Sequence, residues 1–342
     1  MSRRALIDVA LGHAPADMVV KGGKFVNVLT AEIYPADVAI KGDRIAYVGN
    51  VEHTVGPATE IIDAGGFFVT PGLIDTHQHS YETHLNMTEY ARLLLMHGTT
   101  SITEAFYGVC NVSGIEAVRF CLDEIKRTPL HIVFLQPSLS YIQNTSLGLP
   151  STPEALTQAQ LWEILDWPEC RGLEEPPFPV VVEKDAFWLD MFEATLARGK
   201  IIMGHGTSIT ERELAAYLAM GAHCDHSGAD REDALMKIRM GCRLNAREGS
   251  AARNLKRVVK ALAEYRLDSR GFSFCGDEVE FLRIVRDGHV DYDIRLAVGQ
   301  GVNPITAVQM ATLNAAEVLN ADVDLGMISP GKIADIVLVP DL

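Results

Sequence analysis

The feature that most constrains this chain is a repeated change from a short apolar strand to an amphipathic helix, beginning near residue 71. Eight such units fit between residues 71 and 320, and about 250 residues is the usual span of a (β/α)8 barrel. After the strand at residue 71, the predicted strands are 99–105, 130–136, 171–175, 200–205, 222–226, 242–247 and 271–277. A doubly wound sheet is the competing fold, but no glycine-rich phosphate turn follows the first strand. The sequence therefore predicts an α/β protein built on a TIM barrel.

Apolar residues recur at helical spacing between the predicted strands. This period predicts helices over 88–97, 185–198, 230–240 and 251–264. Two more helices are predicted from capping boxes, Ser151 with Glu154 and Ser208 with Glu211.

The two ends of the chain have a different sequence pattern, with short predicted strands separated by Gly and Asp turns. Residues 1–70 predict a small sheet, and the final strand near residues 334–340 is expected to return and pair with it. We therefore predict a small β-sandwich domain from residues 1–70 and 321–342, and a (β/α)8 barrel over 71–320.

Charge and cysteine content limit the possible partners and the compartment. The formal net charge is −15, which argues against nucleic-acid or anionic-membrane binding. The six cysteines are scattered without a C-x-x-C pair, which is typical of reduced thiols and predicts a cytoplasmic protein. No signal peptide is expected, and no apolar run approaches the roughly 20 residues that span a bilayer.

Metal-ligand residue types follow five of the predicted strands. Catalytic groups of TIM barrels lie at the carboxyl ends of the strands, so these side chains are expected to converge. In a strand, residues i and i+2 face the same side, which places the first two histidines together. Imidazole and carboxylate groups suit Zn²⁺, Mn²⁺ or Fe²⁺, and a bridging carboxylate suits a metal pair. The residues are His77 and His79, Glu174 and Glu175, His205, Asp225 and His226, and Asp277.

Each of these residues has an ordinary structural explanation when taken alone. His205 could be a packed core histidine, and Asp277 could cap the helix that follows it. The shared placement at strand ends is what favours a metal centre. His289 lacks such a placement and is interpreted as structural or surface, while His84 lies near the barrel mouth and is a candidate for substrate contact.

Several sequence motifs resemble the adenine deaminase family of the amidohydrolase superfamily over nearly the whole chain. The most specific are Arg247-Glu-Gly-Ser250 and a glutamate, in place of a carboxylated lysine, after the fourth strand. The others include Pro71-Gly-Leu-Ile-Asp-Thr-His-Gln-His79, His97-Gly-Thr-Thr100, Gly172-Leu-x-Glu175, Asp225-His226, Gly288-His-Val-Asp291 and Pro330-Gly-x-x-Ala-Asp335.

The resemblance implies a metal-dependent deaminase that converts adenine or a related aminopurine and releases ammonia. It implies a divalent metal centre, binuclear with Mn²⁺ or Fe²⁺ and with Zn²⁺ possible, and a homodimer. The implied metal ligands are His77, His79, Glu175 as the bridge, His205, His226 and Asp277, and Asp277 and Glu175 are the implied catalytic groups. Arg247, Glu248 and Ser250 resemble the family's substrate pocket, although a structural ion pair between Arg247 and Glu248 is an equal alternative.

The chain departs from the family pattern in two mouth loops, residues 80–83 and 105–108, where substrate choice is made. Two alternatives therefore stay open: a hydrolase of cyclic amides such as imides or hydantoins, and a catalytically silent barrel that binds a ligand or partner. Family members continue past the position of Leu342, so a shortened form is also expected.

Overall fold

The computed structural model describes residues 3–141, 156–228 and 230–342. The chain divides into two units, one of Met1–Leu73 with Asn303–Leu342 and the other of Ile74–Val302. The exact domain limits expected from the sequence, at residues 70/71 and 320/321, stay a prediction. The expected capping box at Ser151 lies outside the described residues.

The first unit begins with helix α1 (Arg3–Ala10), in the stretch of residues 1–15 that the sequence favours as a helical lead-in, and continues with short strands. Antiparallel β4 and β5 form a hairpin at Gly42, whose φ of 58° lies in the left-handed region that glycine adopts without strain. The strands are β1 (Met18–Lys21), β2 (Lys24–Asn27), β3 (Glu32–Pro35), β4 (Asp37–Lys41), β5 (Arg44–Gly49), β6 (Glu60–Asp63) and β7 (Phe68–Pro71).

The second unit contains an eight-stranded sheet whose neighbouring strands are all parallel. Backbone hydrogen bonds between residues 76–79 and 274–277 join its first strand to its last and close the barrel. The strands are β8 (Leu73–Asp75), β9 (Thr99–Glu104), β10 (His131–Gln136), β11 (Cys170–Leu173), β12 (Ile201–Gly204), β13 (Ala222–Asp225), β14 (Arg243–Arg247) and β15 (Phe272–Cys275).

Helices cover the outside of this sheet. In α9, apolar residues at positions i, i+3, i+4 and i+7 are buried, because they form the stripe that faces the barrel. The helices are α2 (Met87–Met96), α3 (Tyr107–Ile125), α4 (Gln158–Leu165), α5 (Pro179–Val182), α6 (Ala186–Ala197), α7 (Glu211–Ala219), α8 (Arg231–Arg239), α9 (Leu255–Glu264), α10 (Phe281–Asp287) and α11 (Val290–Gly299).

The expected capping box at Ser208 is wrong by two residues. The helix begins at Glu211, and the box is formed by Thr210 and Glu213, each bonding the backbone N–H of the other. Ser208 instead lies in the turn before the helix with φ of 59°.

The last segment adds α12 (Pro304–Met310), α13 (Leu313–Val318) and strand β16 (Ile336–Val339) to the first unit. Strand β16 pairs with β7 in the sheet β16-β7-β2-β3, and the other sheet has the order β5-β4-β1-β6. Both sheets contribute to one core, for example through Val38 and Ile45 from one and Phe25 and Val69 from the other. The barrel with a small β-sandwich from both chain ends is confirmed. Among the described residues, no helix has the length and apolarity needed to cross a bilayer.

Candidate metal centre

The six side chains expected to bind metal all follow the carboxyl ends of barrel strands. His205 and His226 come directly after β12 and β13, and His77 comes two residues after β8. Glu175 and Asp277 come two residues after β11 and β15, with φ of 25° and 58°. A non-glycine residue at such angles is strained, and strain of this kind concentrates at functional sites.

Glu175 lies at the centre of the cluster and divides it into two groups. Its Oε1 is 3.3 Å from Nε2 of His79. Its Oε2 is 2.8 Å from Nδ1 of His205, 3.2 Å from Nε2 of His226 and 3.6 Å from Nε2 of His77. The two oxygens of one carboxylate therefore face different sets of imidazoles, as a bridging ligand requires.

Asp277 lies between the first histidines and Arg247. Its Oδ1 is 3.2 Å from Nε2 of His79 and 3.6 Å from Nε2 of His77. Its Oδ2 accepts a hydrogen bond of 2.6 Å from Nη1 of Arg247. Arg247 thus fixes the orientation of this carboxylate, and the expected alternative pairing of Arg247 with Glu248 is not the contact that the structure contains.

Burial and close charges perturb the pKa values of the cluster in opposite directions. Burial opposes ionisation of Glu175, but the charge of His77 and hydrogen bonds from the other histidines lower its pKa well below the usual range. Burial raises the pKa of adjacent Glu174 well above it. Burial and the charge of His77 lower the pKa of His226 to about 4. Burial would lower the pKa of His79 and of His205, but hydrogen bonds with Asp277 and Glu175 raise the first well above its usual value, and the hydrogen bond with Glu175 raises the second. Glu175 and His226 are therefore the ligands shifted towards the ionised carboxylate and neutral imidazole forms that bind metals.

The donor set fits a divalent metal. Three groups each place their ligand atoms within 4.8 Å of one another: His77, His79 and Glu175; His77, His226 and Asp277; and Glu175, His205 and His226. Nε2 of His77 is also buried without a hydrogen-bond partner in the described part of the chain, as expected of a ligand atom. These residues could hold a divalent metal.

The four residues expected to contact substrate are dispersed around this cluster. Arg247 contacts Asp277 directly, whereas Glu248 is buried with its carboxylate 3.7 Å from Nη2 of Arg283. Ser250 accepts a hydrogen bond from the backbone N–H of Glu280, and exposed His84 ends a short turn after the first strand. Their substrate roles stay predictions.

Three buried carboxylates near the cluster were missed by the sequence reasoning or given no role. Asp75 and Glu104 end β8 and β9, and Asp225 ends β13. Glu104 accepts hydrogen bonds from the backbone N–H groups of Ser80, Ala105 and Phe106. The sequence contained a signal for Glu104, because this carboxylate lies at the carboxyl end of the predicted strand 99–105, the same kind of position as the proposed ligands.

Two tyrosines from the divergent mouth loops meet beside His79. The hydroxyls of Tyr81 and Tyr107 are 2.5 Å apart, and the Tyr107 ring lies edge-on to His79 with 4.7 Å between ring centroids. Gly108 makes room for the Tyr81 ring, since a Cβ there would come within 2.4 Å of it.

Comparison with known proteins places these features in one family. Residues 190–341 match the model described as Amidohydrolase family. The chain is 40% identical to "Adenine deaminase 3" of Rhizobium meliloti (strain 1021) and 39% identical to "Adenine deaminase" of Moorella thermoacetica, covering 98% and 99% of this chain. It spans 57% of the length of each of these relatives.

The fold is shared with solved structures of low sequence identity. The β-aspartyl dipeptidase of Fervidobacterium islandicum AW-1 aligns with TM-score 0.71 and 17% identity, covering 95% of this chain and 92% of that one. An amidohydrolase from a Sargasso Sea environmental sample aligns with TM-score 0.70 and 14% identity, covering 94% and 83%. The solved structures show the shared fold, and the curated relatives show that nearly the whole chain is similar to adenine deaminases.

Proposed function

We propose that this chain is a metal-dependent hydrolytic deaminase that acts on adenine or a related aminopurine and releases ammonia. The observation that carries the proposal is the position of Glu175, whose Oε1 faces His79 and whose Oε2 faces the other three histidines. The similarity to relatives named adenine deaminase supports the purine substrate. A small, planar purine is also compatible with the aromatic side chains beside His79.

In this proposal a metal pair is held by His77, His79, His205, His226 and Asp277, with Glu175 as the bridge. Mn²⁺ or Fe²⁺ is the proposed metal, since nitrogen and carboxylate oxygen ligands without thiolate suit both, and Zn²⁺ is the alternative. When bound, the metal supplies Lewis acidity and lowers the pKa of a coordinated water from 15.7 towards about 7.

Asp277 is the proposed general base and acid. The Arg247 hydrogen bond and the two histidines hold its carboxylate in one orientation. The neighbouring His77 and His79 outweigh its burial and keep its pKa well below the usual range, so it is ionised and able to accept a proton. It takes a proton from the attacking water as the C–O bond forms, and it returns that proton to the amino group as the C–N bond breaks and ammonia leaves.

The mouth loops supply the proposed substrate wall. Tyr107 is nearly buried, and its hydroxyl is held by Tyr81, so the pair presents a rigid aromatic surface beside the His79 ring. Arg247, Glu248, Ser250 and His84 stay the proposed substrate contacts. A homodimer is proposed from the family resemblance, and a reducing, cytoplasmic compartment from six cysteines that all lie buried as free thiols.

The test is ammonia release by the Mn²⁺-loaded protein from adenine, N6-substituted adenines and cyclic amides. Release from an aminopurine with stoichiometric bound metal is the expected result. Glu175→Gln should lower both metal content and turnover by at least about 100-fold, since even partners of metal ligands are worth 10–100-fold. Glu193→Gln, an exposed glutamate on α6, is the matched control and should change neither.

Other outcomes would replace the proposal. Ring opening of a cyclic amide without ammonia release from aminopurines would assign the chain to cyclic-amide hydrolysis. A protein that folds but binds no stoichiometric Mn²⁺, Fe²⁺ or Zn²⁺ would indicate a catalytically silent barrel.

A further inference from the structure

A buried hydrogen-bonded chain lies beneath the metal centre, in a part of the barrel that the proposed reaction does not use. It consists of Asp75, at the end of β8, His289, at the start of α11, and Thr99, at the start of β9. The three residues are 0%, 4% and 0% exposed. Buried polar groups are costly unless paired, so this arrangement needs a physical reason.

Asp75 joins the two strands that meet where the barrel closes. Its Oδ1 accepts a 2.9 Å hydrogen bond from the backbone N–H of His77. Its Oδ2 accepts a 2.9 Å hydrogen bond from the backbone N–H of Gly276. One carboxylate therefore bonds the backbone of one proposed ligand, His77, and of the residue next to another, Asp277.

His289 holds this carboxylate from below. Its Nε2 is 3.1 Å from Oδ2 of Asp75 and 3.4 Å from Oε1 of Gln78, and its Nδ1 is 3.0 Å from Oγ1 of Thr99. The imidazole therefore lies between the Asp75 carboxylate and the Gln78 amide on one side and the Thr99 hydroxyl on the other.

The motif Gly288-His-Val-Asp291 aims the imidazole. The backbone N–H of His289 donates to Oδ1 of Asp291 at 2.7 Å. Gly288 has φ of 107°, and a Cβ on it would come within 2.5 Å of that carboxylate. The glycine and the aspartate of the motif therefore serve to place His289, which the sequence had suggested was structural or surface.

We infer that His289 is a positioning residue of the metal centre, which acts through Asp75 to set the spacing of His77 and Asp277. This inference rests on the proposed metal centre and deepens it. Within the described residues, no hydrogen bond or ion pair joins the His289 side chain to a proposed ligand side chain. The effect of His289 is transmitted by the backbone of the closure, where the N–H of Asp277 donates a 2.9 Å hydrogen bond to the carbonyl of His77.

The experiment measures the dissociation constant for Mn²⁺ by chelator competition in the full chain. His289→Leu removes the polar ring beside the Asp75 carboxylate and is expected to weaken Mn²⁺ binding by about 10–100-fold, the range for partners of metal ligands. His289→Gln keeps an N–H donor and should recover part of the loss. Thr99→Val keeps the shape but not the hydroxyl, and less than about tenfold is expected.

A histidine elsewhere in the barrel provides the control. His223 on β13 is half-buried, and its Nδ1 bonds the carbonyl of Ile202 at 3.0 Å. His223→Leu should leave the Mn²⁺ dissociation constant unchanged. The Mn²⁺ EPR spectrum of His289→Gln should differ from that of the wild type, since a merely structural residue would not alter the metal environment.

The outcomes separate this inference from the proposed function. A wild type that binds Mn²⁺ and a folded His289→Leu variant with unchanged affinity and spectrum would overturn only the inference. A wild type without stoichiometric metal would overturn the proposed function and the inference together. If His289→Leu does not fold, the milder variants His289→Gln and Thr99→Val decide the question by the same measurement.

Discussion

Two buried aspartates lie beneath the proposed metal centre, and each is paired with a different side chain. We call Asp75 with His289, at the end of the first barrel strand β8, the strand-1 clamp. Asp225 with Lys237, at the end of the sixth barrel strand β13, is the strand-6 clamp. Each aspartate accepts a hydrogen bond from the backbone N–H two residues later, in His77 or in Ser227. Each also accepts one from a glycine that follows a neighbouring strand, and each is paired with a basic side chain from a helix.

The partners differ in charge. Nζ of Lys237 is 2.6 Å from Asp225 and 2.9 Å from Asp233, and its side chain is 0% exposed. Burial alone would raise the pKa of Asp225, but the charge of Lys237 lowers it far below the usual value. Burial alone would lower the pKa of Lys237, but Asp225 raises it. The strand-6 clamp is therefore an ionic network around a lysine, whereas in the strand-1 clamp the carboxylate lies 3.1 Å from an imidazole nitrogen.

The largest expected effect is that of Lys237→Met. The change leaves Asp225 buried without its counter-charge, and breaking a buried ion pair in this way costs about 3–5 kcal/mol. Urea unfolding of the metal-free protein measures the loss. Lys126→Met is the matched control, because Lys126 pairs with Glu169 at 2.6 Å on the surface, where less than about 1 kcal/mol is expected.

The same variant has a defined pH dependence. Because the folded pKa of Asp225 is depressed, its contribution is present above its unfolded pKa of about 4 and is lost as the pH falls through the folded value. The stability difference between wild type and Lys237→Met should therefore shrink in acid. An equal urea midpoint for both proteins at neutral pH would show that the network does not stabilise the fold.

The stabilisation that Mn²⁺ gives to the folded protein should depend on the strand-1 clamp. At free Mn²⁺ 100 times the wild-type dissociation constant, the wild type should gain about 2.7 kcal/mol of unfolding free energy. With tenfold weaker binding, His289→Leu should gain only about 1.4 kcal/mol at the same concentration. Thermal melts with and without Mn²⁺ measure both gains, and equal gains would contradict a role of the strand-1 clamp in metal binding.

The glycines of the two clamps form a matched pair for mutation. A Cβ at Gly276 would lie 2.6 Å from Oε1 of Gln78 and 2.9 Å from Oδ2 of Asp75. At Gly206 the nearest atoms would be Cγ2 of Ile209 at 3.3 Å and Oδ2 of Asp225 at 3.5 Å. Gly276→Ala should therefore cost about 1–3 kcal/mol, and Gly206→Ala less than about 1 kcal/mol. Similar urea midpoints for the two variants would show that the packing around Gly276, where the barrel closes, is no tighter than the packing around Gly206.

The sequence predicted the architecture and the position of the ligand residues because both depend on local order. The strand period, the helix period and the identity of the residues after each strand are all properties of neighbouring positions in the sequence. His77 and Glu175 could be placed at the barrel mouth without knowing what surrounds them. Helix starts were less certain, since Ser208 and Thr210 both precede a glutamate by three residues, and backbone geometry selects Thr210.

The clamps could not be predicted because each depends on a contact between distant segments. Lys237 lies in an amphipathic helix, where a lysine ordinarily faces solvent, and only the fold buries it against Asp225. His289 follows no barrel strand directly, so the rule that identified the ligands passed over it. A single aspartate at a strand end has no sequence property that distinguishes a clamp from a surface carboxylate.

The smallest expected effect concerns a hydroxyl that has no counterpart in the strand-1 clamp. Oγ of Ser227 donates to Oδ1 of Asp225 at 2.6 Å and accepts a hydrogen bond from the backbone N–H of Gly206 at 3.0 Å. In Ser227→Ala, that N–H still reaches Oδ1 of Asp225 at 3.0 Å, so only about 1 kcal/mol should be lost in urea unfolding. Ser113→Ala, at an exposed serine of α3, should lose none. A loss near that of Lys237→Met would mean that the hydroxyl, rather than the lysine, holds Asp225 in place.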